Sequence, residues 1–396
     1  MKRSLLIISL MVFGLLLTAC GGADTEAMDK LQSELDAAKS AAADAEAKVA
    51  DAEAKAAAAE SALADAQSAA DDAPAAAAGE GETVAAVRDR GSMICGISGT
   101  LPGFSIIEDD GSISGMDWDY CRAVAAAVFG DSEAVEGRAS TGTDRFPRLQ
   151  NGEFDMLARN TTWTISRDTS LGFNFAPVTF YDGQGMMVRS ETGFETLEDL
   201  EGGSICVGKG TTTEKNLADV FRQRGIDYEA VVFEESTAPR EAYDEGRCDG
   251  WTTDKSGLVA GSTQLSNPDE HTIMSVTMSK EPLGPVVRHG DDNWFDIVKW
   301  TVNCTIQAEE LGIDSSNVDD FVGADDPVVA NLLGDEGDLG QALNLSNDFC
   351  YQVVKQVGNY AEIFENNLGP DTPFKLPRGV NSQWTDGGLL YSPPFR

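Results

Sequence analysis

The chain changes character near residue 84, and this change limits the folds that are open to it. Residues 28–70 contain no glycine or proline, and every first and fourth position of a seven-residue repeat is apolar. This pattern predicts one long helix, which is either a strand of a coiled coil or a single solvated spacer, because its seam is mostly alanine. Pro74 and the Ala/Gly run to Gly81 predict a linker. After the linker, the composition is that of a globular protein.

The first residues of the chain have the pattern of an export signal. Lys2 and Arg3 precede an apolar run over residues 5–17, which is shorter than the ~20 residues of a membrane-spanning helix. We therefore predict a secretory signal peptide over residues 1–19. The ending Leu-Thr-Ala-Cys resembles the bacterial lipobox, which implies that Cys20 is the lipidated first residue of the mature protein; the alternative is a plain signal peptide. More than one acyl chain gives stable anchoring, so we expect an exported lipoprotein on a bacterial membrane.

Six of the seven cysteines follow this segment, and an even number in an exported chain indicates disulfides. Sequence alone leaves the pairing open, because six cysteines can combine in many ways. We favour pairing in sequence order, since it keeps each bridge within one local unit. The favoured pairs are Cys95–Cys121, Cys206–Cys248 and Cys304–Cys350.

Charge and composition exclude several classes of function. The chain has 66 acidic and 29 basic residues, a formal charge of -37, which argues against nucleic acid and against an anionic lipid surface as partners. Its two histidines stand in no zinc-binding spacing, so neither a metal nor a cofactor is expected. The run GSICVGKG approaches a phosphate-binding loop, but glycine follows Lys209 where serine or threonine should hold magnesium. We therefore reject nucleotide binding.

Beyond residue 84, short strand patterns alternate with helical ones. The runs SMICGIS, FDMLA and GSICVGKG indicate strands, whereas DYCRAVAAAVFG and EKNLADVF have helical periodicity. Alternation at this interval predicts an α/β protein with mostly parallel sheets. Residues 313–396 are richer in turn residues, and we expect them to form a helical, loop-rich tail on the first part of the domain.

The stretch RNTTWTISRD, residues 159–168, sets Arg167 at the end of a run of small hydrogen-bonding side chains. A guanidinium is the best side chain for binding a carboxylate through two parallel hydrogen bonds. The alternative is a surface ion pair with Asp168. Thr211 and Thr212 open a helical run that follows a strand, where free amides and hydroxyls bind a carboxylate or only cap the helix.

Asp254 closes the strand pattern GRCDGWTTD, at a position where α/β folds place ligand-binding groups. A buried carboxylate at this position suits an ammonium group. An arginine for one end of a ligand and an aspartate for the other end specify a zwitterion. Phe104, in the turn LPGF, is either a wall of the pocket or part of the core.

Several longer stretches carry a family resemblance. They include GTLPGFS, RNTTWTISRDTSLGFNF, YDGQG, GTTTE, GRCDGWTTD, EPLGPVVRHGDDNWFDIVKW and KQVGNYAEIFE, which together span nearly all of residues 84–396. The chain resembles the general L-amino acid-binding proteins of ABC importers, within the family-3 solute-binding proteins. The resemblance implies a two-lobed type II periplasmic binding fold that closes on an amino acid. The helical stalk lies outside the family pattern.

The resemblance also implies roles for individual residues. Arg167 takes the α-carboxylate of the ligand, and Asp254 takes its α-ammonium group. Leu101 and Phe104 fall on the turn that lines the side-chain space, although Leu101 stands where many single-substrate relatives carry an aromatic ring. The positions that hydrogen-bond the backbone of the ligand are Asn160, Thr162, Thr211 and Thr212.

These residues lead to an expected domain plan. We expect a stalk and linker over residues 20–83, lobe 1 over 84–183 and 282–396, and lobe 2 over 184–281. Hinges are expected near YDGQG and KEPLG, which both contain glycine. The stalk would permit self-association.

The expected function is to bind L-amino acids of many kinds and deliver them to the permease and ATPase of an ABC transporter. Broad specificity is expected because every polar group named above serves the α-end that all amino acids share, and no charge is assigned to the side-chain end. The alternatives are a periplasmic dehydratase-like enzyme and a ligand-sensing lipoprotein on the same fold. The sequence offers no catalytic set for the enzyme.

Overall fold

The computed structural model describes the globular part of the chain and pieces of the helical segment before it. The described residues are 30, 32–43, 45, 47–50, 52, 54, 55 and 81–396. The chain divides into two compact units, Met1–Ala77 and Ala78–Arg396. The predicted signal peptide, Cys20 and Pro74 lie outside the described residues.

All the described residues of the first unit are helical, in agreement with the heptad pattern. Leu35 and Val49, two residues of the expected seam, are exposed to solvent. A coiled coil between chains therefore stays a prediction. In the part of the chain that the structure describes, no helix is long and apolar enough to cross a bilayer.

The larger unit alternates strands and helices, which confirms the predicted α/β class. Its strands are β1 (Met93–Ile97), β2 (Thr100–Leu101), β3 (Ser105–Ile107), β4 (Ile113–Ser114), β5 (Val135–Ala139), β6 (Met156–Leu157), β7 (Phe173–Phe175), β8 (Phe180–Asp182), β9 (Met187–Arg189), β10 (Ser204–Gly208), β11 (Glu229–Phe233), β12 (Gly250–Trp251), β13 (His271–Ile273), β14 (Glu281–Leu283) and β15 (Val286–Arg288). Its α-helices are α1 (Glu82–Arg90), α2 (Met116–Phe129), α3 (Arg145–Gln150), α4 (Thr212–Arg224), α5 (Ala238–Asp244), α6 (Lys255–Ser262), α7 (Asp292–Glu310), α8 (Pro327–Leu333), α9 (Leu339–Ala342), α10 (Phe349–Gln356) and α11 (Tyr360–Asn367).

Two five-stranded sheets form the centres of two lobes. The sheet of lobe 1 has the order β5-β1-β6-β15-β7, and β1 runs parallel to both β5 and β6. The sheet of lobe 2 has the order β11-β10-β12-β9-β13, and β10 runs parallel to both β11 and β12. Antiparallel strands complete each sheet: β15 lies between β6 and β7, and β9 lies between β12 and β13.

The chain passes between the lobes along two paired strands. β8 leads out of lobe 1 and β14 leads back into it, and they pair antiparallel with Asp182 opposite Glu281. Gly183 follows β8 and packs closely on the returning segment, because a Cβ atom there would lie 2.8 Å from the carbonyl oxygen of Ser279. Glycine thus follows each of the two strands, Gly183 after β8 and Gly284 after β14, where the hinges were expected.

The core of lobe 1 lies between its sheet and the helices α2, α7 and α10. α2 begins after Gly115, whose φ is 125° and whose position leaves no room for a side chain, since a Cβ atom would lie 2.3 Å from the backbone of Phe104. The tail over residues 313–396 packs on the same core through α8, α10 and α11. The tail is therefore a part of lobe 1 rather than a separate body.

Disulfides cross-link elements within each lobe, and the structure pairs the six cysteines in sequence order. Cys95–Cys121 joins β1 to α2, Cys304–Cys350 joins α7 to α10, and Cys206–Cys248 joins β10 to the segment before β12. The Cα–Cα distances are 6.1, 5.8 and 5.7 Å, within the ordinary range for a disulfide. Each bridge closes a loop of tens of residues, which in the chain-entropy description stabilises the fold by about 3–4 kcal/mol.

Candidate ligand-binding site between the lobes

A cavity of about 110 Å³ lies between the two lobes. Lobe 1 contributes segments that follow β1 and β6, and lobe 2 contributes segments that follow β10, β11 and β12, so strand ends of both sheets surround it. Three residues predicted from the sequence line it, Leu101, Asn160 and Thr211. The other lining residues are Ser98, Thr100, Gly142, Arg159, Gly208, Lys209, Thr213, Glu234, Glu235, Ser236, Thr237, Pro239, Arg240, Trp251, Thr252, Thr253, Gly257, Gly261 and Gln264.

Arg167 is buried in lobe 1, on a single π-helical turn. Its Nη1 donates a hydrogen bond of 2.8 Å to the carbonyl oxygen of Thr162, and its guanidinium lies 5.0 Å from the ring centre of Phe146. Asp168 instead accepts a hydrogen bond of 2.7 Å from the indole nitrogen of Trp163. The alternative of a surface ion pair between Arg167 and Asp168 is therefore not what the structure forms.

The carboxylate of Glu281, in β14, lies where the two lobes meet. It accepts hydrogen bonds from the hydroxyl groups of Thr162, at 2.6 Å, and Thr212, at 2.9 Å. Thr162 belongs to lobe 1 and Thr212 begins α4 of lobe 2, and their hydroxyl oxygens are 3.3 Å apart. The amide nitrogen of Asn216 donates a third hydrogen bond of 2.8 Å. Two threonines that we expected to bind a ligand thus converge on a carboxylate that the sequence analysis did not include.

Burial sets the electrostatics around Arg167 and Asp254. Burial lowers the pKa of Arg167 to about 10, and the carboxylates of Glu281 and Asp254 oppose this effect. Asp254 is only 5% exposed, and its pKa is raised well above the ordinary value, first by burial and then by the negative charges of Asp182 and Glu281. Its Oδ2 accepts a hydrogen bond of 3.3 Å from the side-chain amide of Asn160. A cation placed beside Asp254 would therefore be strongly stabilised.

The remaining predicted residues have other surroundings. Leu101 is partly buried at the cavity wall. Phe104 is only 1% exposed and packs edge-on against Phe180 at 5.4 Å between ring centres, so it lies in the core of lobe 1, one of its two expected places. Thr211 caps α4, because its hydroxyl oxygen accepts a hydrogen bond of 3.0 Å from the backbone nitrogen of Glu214.

Two further arginines, which the sequence analysis did not single out, are buried near the cavity. Arg145 is 3% exposed and Arg159 is 7% exposed. Arg159 donates from Nε to the carbonyl oxygen of Ser140 and from Nη2 to the hydroxyl of Ser236, both at 3.0 Å, so it connects lobe 1 to lobe 2. Burial lowers the pKa of Arg145, and the positive charges of Arg167 and Arg159 lower it further. The only sequence signal was for Arg159, which opens the stretch RNTTWTISRD.

Asp117, at the start of α2, supports the cavity wall from behind. Its Oδ2 accepts a hydrogen bond of 2.7 Å from the backbone nitrogen of Asn160. Asn160 has a φ of 32°, a value that non-glycine residues seldom adopt, and this hydrogen bond helps to hold it there. Burial raises the pKa of Asp117 to about 7, while this hydrogen bond and the charge of Arg159 act in the opposite direction.

Comparison with known proteins identifies the family to which this arrangement belongs. Residues 93–312 match the family described as bacterial extracellular solute-binding proteins, family 3. The chain belongs to this family. It is therefore an exported solute-binding protein of an ABC transporter rather than an enzyme.

Individual relatives in this family cover most of the chain. It is 49% identical over 322 residues to the general L-amino acid-binding periplasmic protein AapJ of Rhizobium johnstonii, covering 81% of this chain and 94% of that protein. It is 45% identical over 320 residues to the glutamate/glutamine/aspartate/asparagine-binding protein BztA of Rhodobacter capsulatus, covering 81% of this chain and 95% of that protein.

A solved structure extends the similarity to the fold. An ABC transporter periplasmic binding protein from Brucella ovis, with glutathione bound, is 48% identical and matches with a TM-score of 0.78 over 79% of this chain and 99% of that chain. The predicted two-lobed type II periplasmic binding fold is thereby confirmed for this family-3 protein.

The variant Asp117→Asn should stabilise the protein increasingly as the pH rises from about 4 to about 7. The pKa of Asp117 is about 7 in the folded protein and about 4 in an unfolded chain, so the unfolded state releases the proton first. Stability from this group is therefore present below the unfolded pKa and is lost as the pH rises through the folded pKa. Asparagine keeps an oxygen to accept the hydrogen bond from Asn160.

Urea unfolding of both proteins across this pH range measures the effect. The gain in unfolding free energy of the variant over the wild type should increase with pH. A gain that is constant, or that decreases with pH, would show that Asp117 does not have a raised pKa.

Proposed function

We propose that this protein captures L-amino acids outside the cytoplasm, by closing its two lobes around them, and delivers them to an ABC transporter permease. The observation that carries the proposal is the burial of two opposite charges behind the cavity wall: neither Arg167 nor Asp254 lines the cavity, but Asn160, which bonds to Asp254, does. Arg167 and Asp254 are 6% and 5% exposed, and neither forms an ion pair within the described residues. An amino acid carries a carboxylate and an ammonium group on one carbon atom, so a single ligand can neutralise both charges.

The proposal assigns the α-carboxylate of the ligand to Arg167 and the α-ammonium to Asp254. Arg167 keeps one guanidinium nitrogen on the carbonyl oxygen of Thr162, at 2.8 Å, which fixes the plane of the guanidinium before a carboxylate arrives. Asp254 accepts a hydrogen bond of 3.3 Å from the side-chain amide of Asn160, a residue that lines the cavity. Thr162 and Thr212 donate to Glu281, so in this proposal their hydroxyl oxygens accept hydrogen bonds from the α-ammonium group of the ligand.

The division into moving parts follows the two connections between the sheets. We propose that lobe 1 comprises residues 84–183 and 282–396, that lobe 2 comprises 184–281, and that β8 and β14 act as the hinge. The support is that every strand of the lobe 1 sheet lies within Met93–Phe175 or Val286–Arg288, whereas the lobe 2 sheet lies within Met187–Ile273.

The ligand side chain would point toward the turn that contains Leu101. Leu101 lines the cavity, and Phe104 lies behind it in the core, where it supports the turn without contacting the ligand. An aliphatic wall accepts many side chains, because the binding free energy of the side chain then depends on the apolar area that it buries, at about 25 cal/mol per Å². The related proteins fit this breadth, since one is named for L-amino acids in general and another for four different amino acids.

The variant Arg167→Ala should lose at least about 30-fold in amino-acid affinity, because truncating one partner of a buried charge pair costs about 2–5 kcal/mol. Asp254→Asn should also lose affinity, but much less for analogues that lack the α-amino group. Isothermal titration calorimetry with L-amino acids and their deaminated analogues measures both effects. The matched control is Arg138→Ala, because Arg138 is a surface arginine paired with Glu136.

Two results would contradict these assignments. Affinity close to that of the wild type in Arg167→Ala would exclude it as the carboxylate partner. Equal losses for amino acids and their deaminated analogues in Asp254→Asn would exclude it as the ammonium partner. Arg138→Ala should bind as the wild type does, which separates loss of a site residue from a general loss of charge.

The proposal extends to the N-terminal segment, for which the lipobox-like sequence is the support. We propose that lipids on Cys20 anchor the protein to the bacterial membrane and that residues 20–83 form a stalk that holds the lobes near the permease, alone or associated with other copies. The described residues between 30 and 55 are helical, which suits a spacer.

The variant Cys20→Ser should move the protein from the membrane fraction to the soluble extracytoplasmic fraction, because no acyl chain can be attached. Immunoblotting of fractionated cells, with a labelled-palmitate incorporation assay, measures the change. A wild-type protein that incorporates no palmitate and is already soluble would contradict the anchor while leaving amino-acid binding untouched.

A further inference from the structure

Charged side chains line the cavity between the lobes, whereas the sequence analysis assigned no charge to the side-chain end of the ligand. Lys209 forms an ion pair with Glu234, and both side chains are exposed. Arg240, which also lines the cavity, bonds to Gln264. The partners of Lys209 and Arg240 thus come from within lobe 2 itself. Arg159 differs from both, because it bonds to one residue of each lobe, Ser140 and Ser236.

Arg159 is buried, rigidly held and incompletely bonded. Its side chain is fixed by hydrogen bonds of 3.0 Å to the carbonyl oxygen of Ser140 and to the hydroxyl of Ser236. These bonds use Nε and Nη2, and within the described residues Nη1 donates no hydrogen bond. An arginine that is 7% exposed and lines a cavity therefore presents a donor nitrogen toward a ligand.

The charge of Arg159 has no direct partner in the described structure. Three carboxylates act on its charge, and each accepts a hydrogen bond from another residue: Asp117 from the backbone of Asn160, Asp144 from the backbone of Thr141, and Asp254 from the side-chain amide of Asn160. Burial lowers the pKa of Arg159 to about 10, which is the mark of a desolvated cation whose neighbours compensate it only in part. A second anion entering the cavity would complete that compensation.

Arg159 lines the same cavity as the residue next to it, Asn160. The side-chain amide of Asn160 bonds to Asp254, to which the proposed function assigns the α-ammonium group. The negative charge of Asp254 also opposes the effect of burial on the pKa of Arg159. A ligand whose α-ammonium group lies beside Asp254 therefore shares a cavity with the guanidinium of Arg159.

We propose that Arg159 is a specificity-determining residue that binds a second carboxylate on the ligand, so that acidic L-amino acids bind more tightly than their neutral isosteres. This inference rests on the proposed function. It predicts a narrower ligand specificity than the aliphatic wall alone would give. Many amino acids still bind through the α-end, and those with a side-chain carboxylate gain a charge-assisted hydrogen bond.

The test compares L-glutamate with L-glutamine, which has nearly the same shape but no side-chain charge, by isothermal titration calorimetry. The wild type should bind L-glutamate at least about tenfold more tightly at low ionic strength. In Arg159→Gln, whose single amide nitrogen keeps a donor for the carbonyl oxygen of Ser140, the affinity for L-glutamate should fall by about 30-fold or more, whereas that for L-glutamine should change by less than about threefold. Arg159→Lys should restore part of the preference for L-glutamate.

The matched control is Arg138→Gln, which removes a surface arginine that is paired with Glu136 and does not line the cavity. Its preference for L-glutamate should equal that of the wild type. Equal losses for both ligands in Arg159→Gln would show that Arg159 only holds the lobes together and would overturn the inference, as would a wild type that binds L-glutamine at least as tightly as L-glutamate. That second measurement needs no variant to fold. A wild type that binds no amino acid at all would contradict the proposed function itself.

Discussion

Burial of unpaired charge between two lobes is the constraint on which the rest of this molecule depends. Arg167 and Asp254 are each at least nine-tenths buried, and the cost of removing such groups from water is large unless an opposite charge reaches them. The sheets keep both groups in place, since Arg167 follows β6 in lobe 1 and Asp254 follows β12 in lobe 2. The proposed function assigns the carboxylate and the ammonium group of one ligand to these two residues.

Glu281, in the proposed hinge, offsets part of this cost, because its negative charge opposes the effect of burial on Arg167. Its carboxylate lies in the returning connection β14 and collects hydrogen bonds from Thr162 of lobe 1 and Thr212 of lobe 2. The same residue therefore contacts both lobes at the point about which they would rotate. If β14 is part of the hinge, as proposed, the relative position of the two threonines depends on a hinge residue rather than on either lobe alone.

The sequence predicted the general plan well because that plan depends on local patterns. Alternation of strand and helix patterns predicts the α/β class. The stretch RNTTWTISRD, which contains Arg167, follows the end of strand β6. Phe104 illustrates the limit of this reasoning, because an aromatic residue in a glycine-containing turn fits a pocket wall and a core equally well. Only the packing of its ring against Phe180, at 5.4 Å between ring centres, settles its place in the core.

Glu281 and Arg159 could not be assigned from the sequence, and the reason is physical. Their partners are far away along the chain: Glu281 bonds to residues 119 and 69 positions away, and Arg159 bonds to Ser236, 77 positions away. No local periodicity reports such contacts, which exist only when the lobes face each other. Arginine in a short polar stretch is also common at protein surfaces, so only the structure could reveal the burial of Arg159.

A crystal structure of the protein with L-glutamate tests the central claim most directly. The account predicts that the α-carboxylate contacts the guanidinium of Arg167 and the α-ammonium contacts the carboxylate of Asp254, with the ligand enclosed between the lobes. A ligand bound with either charged end away from these two residues, or outside the space between the lobes, would contradict it.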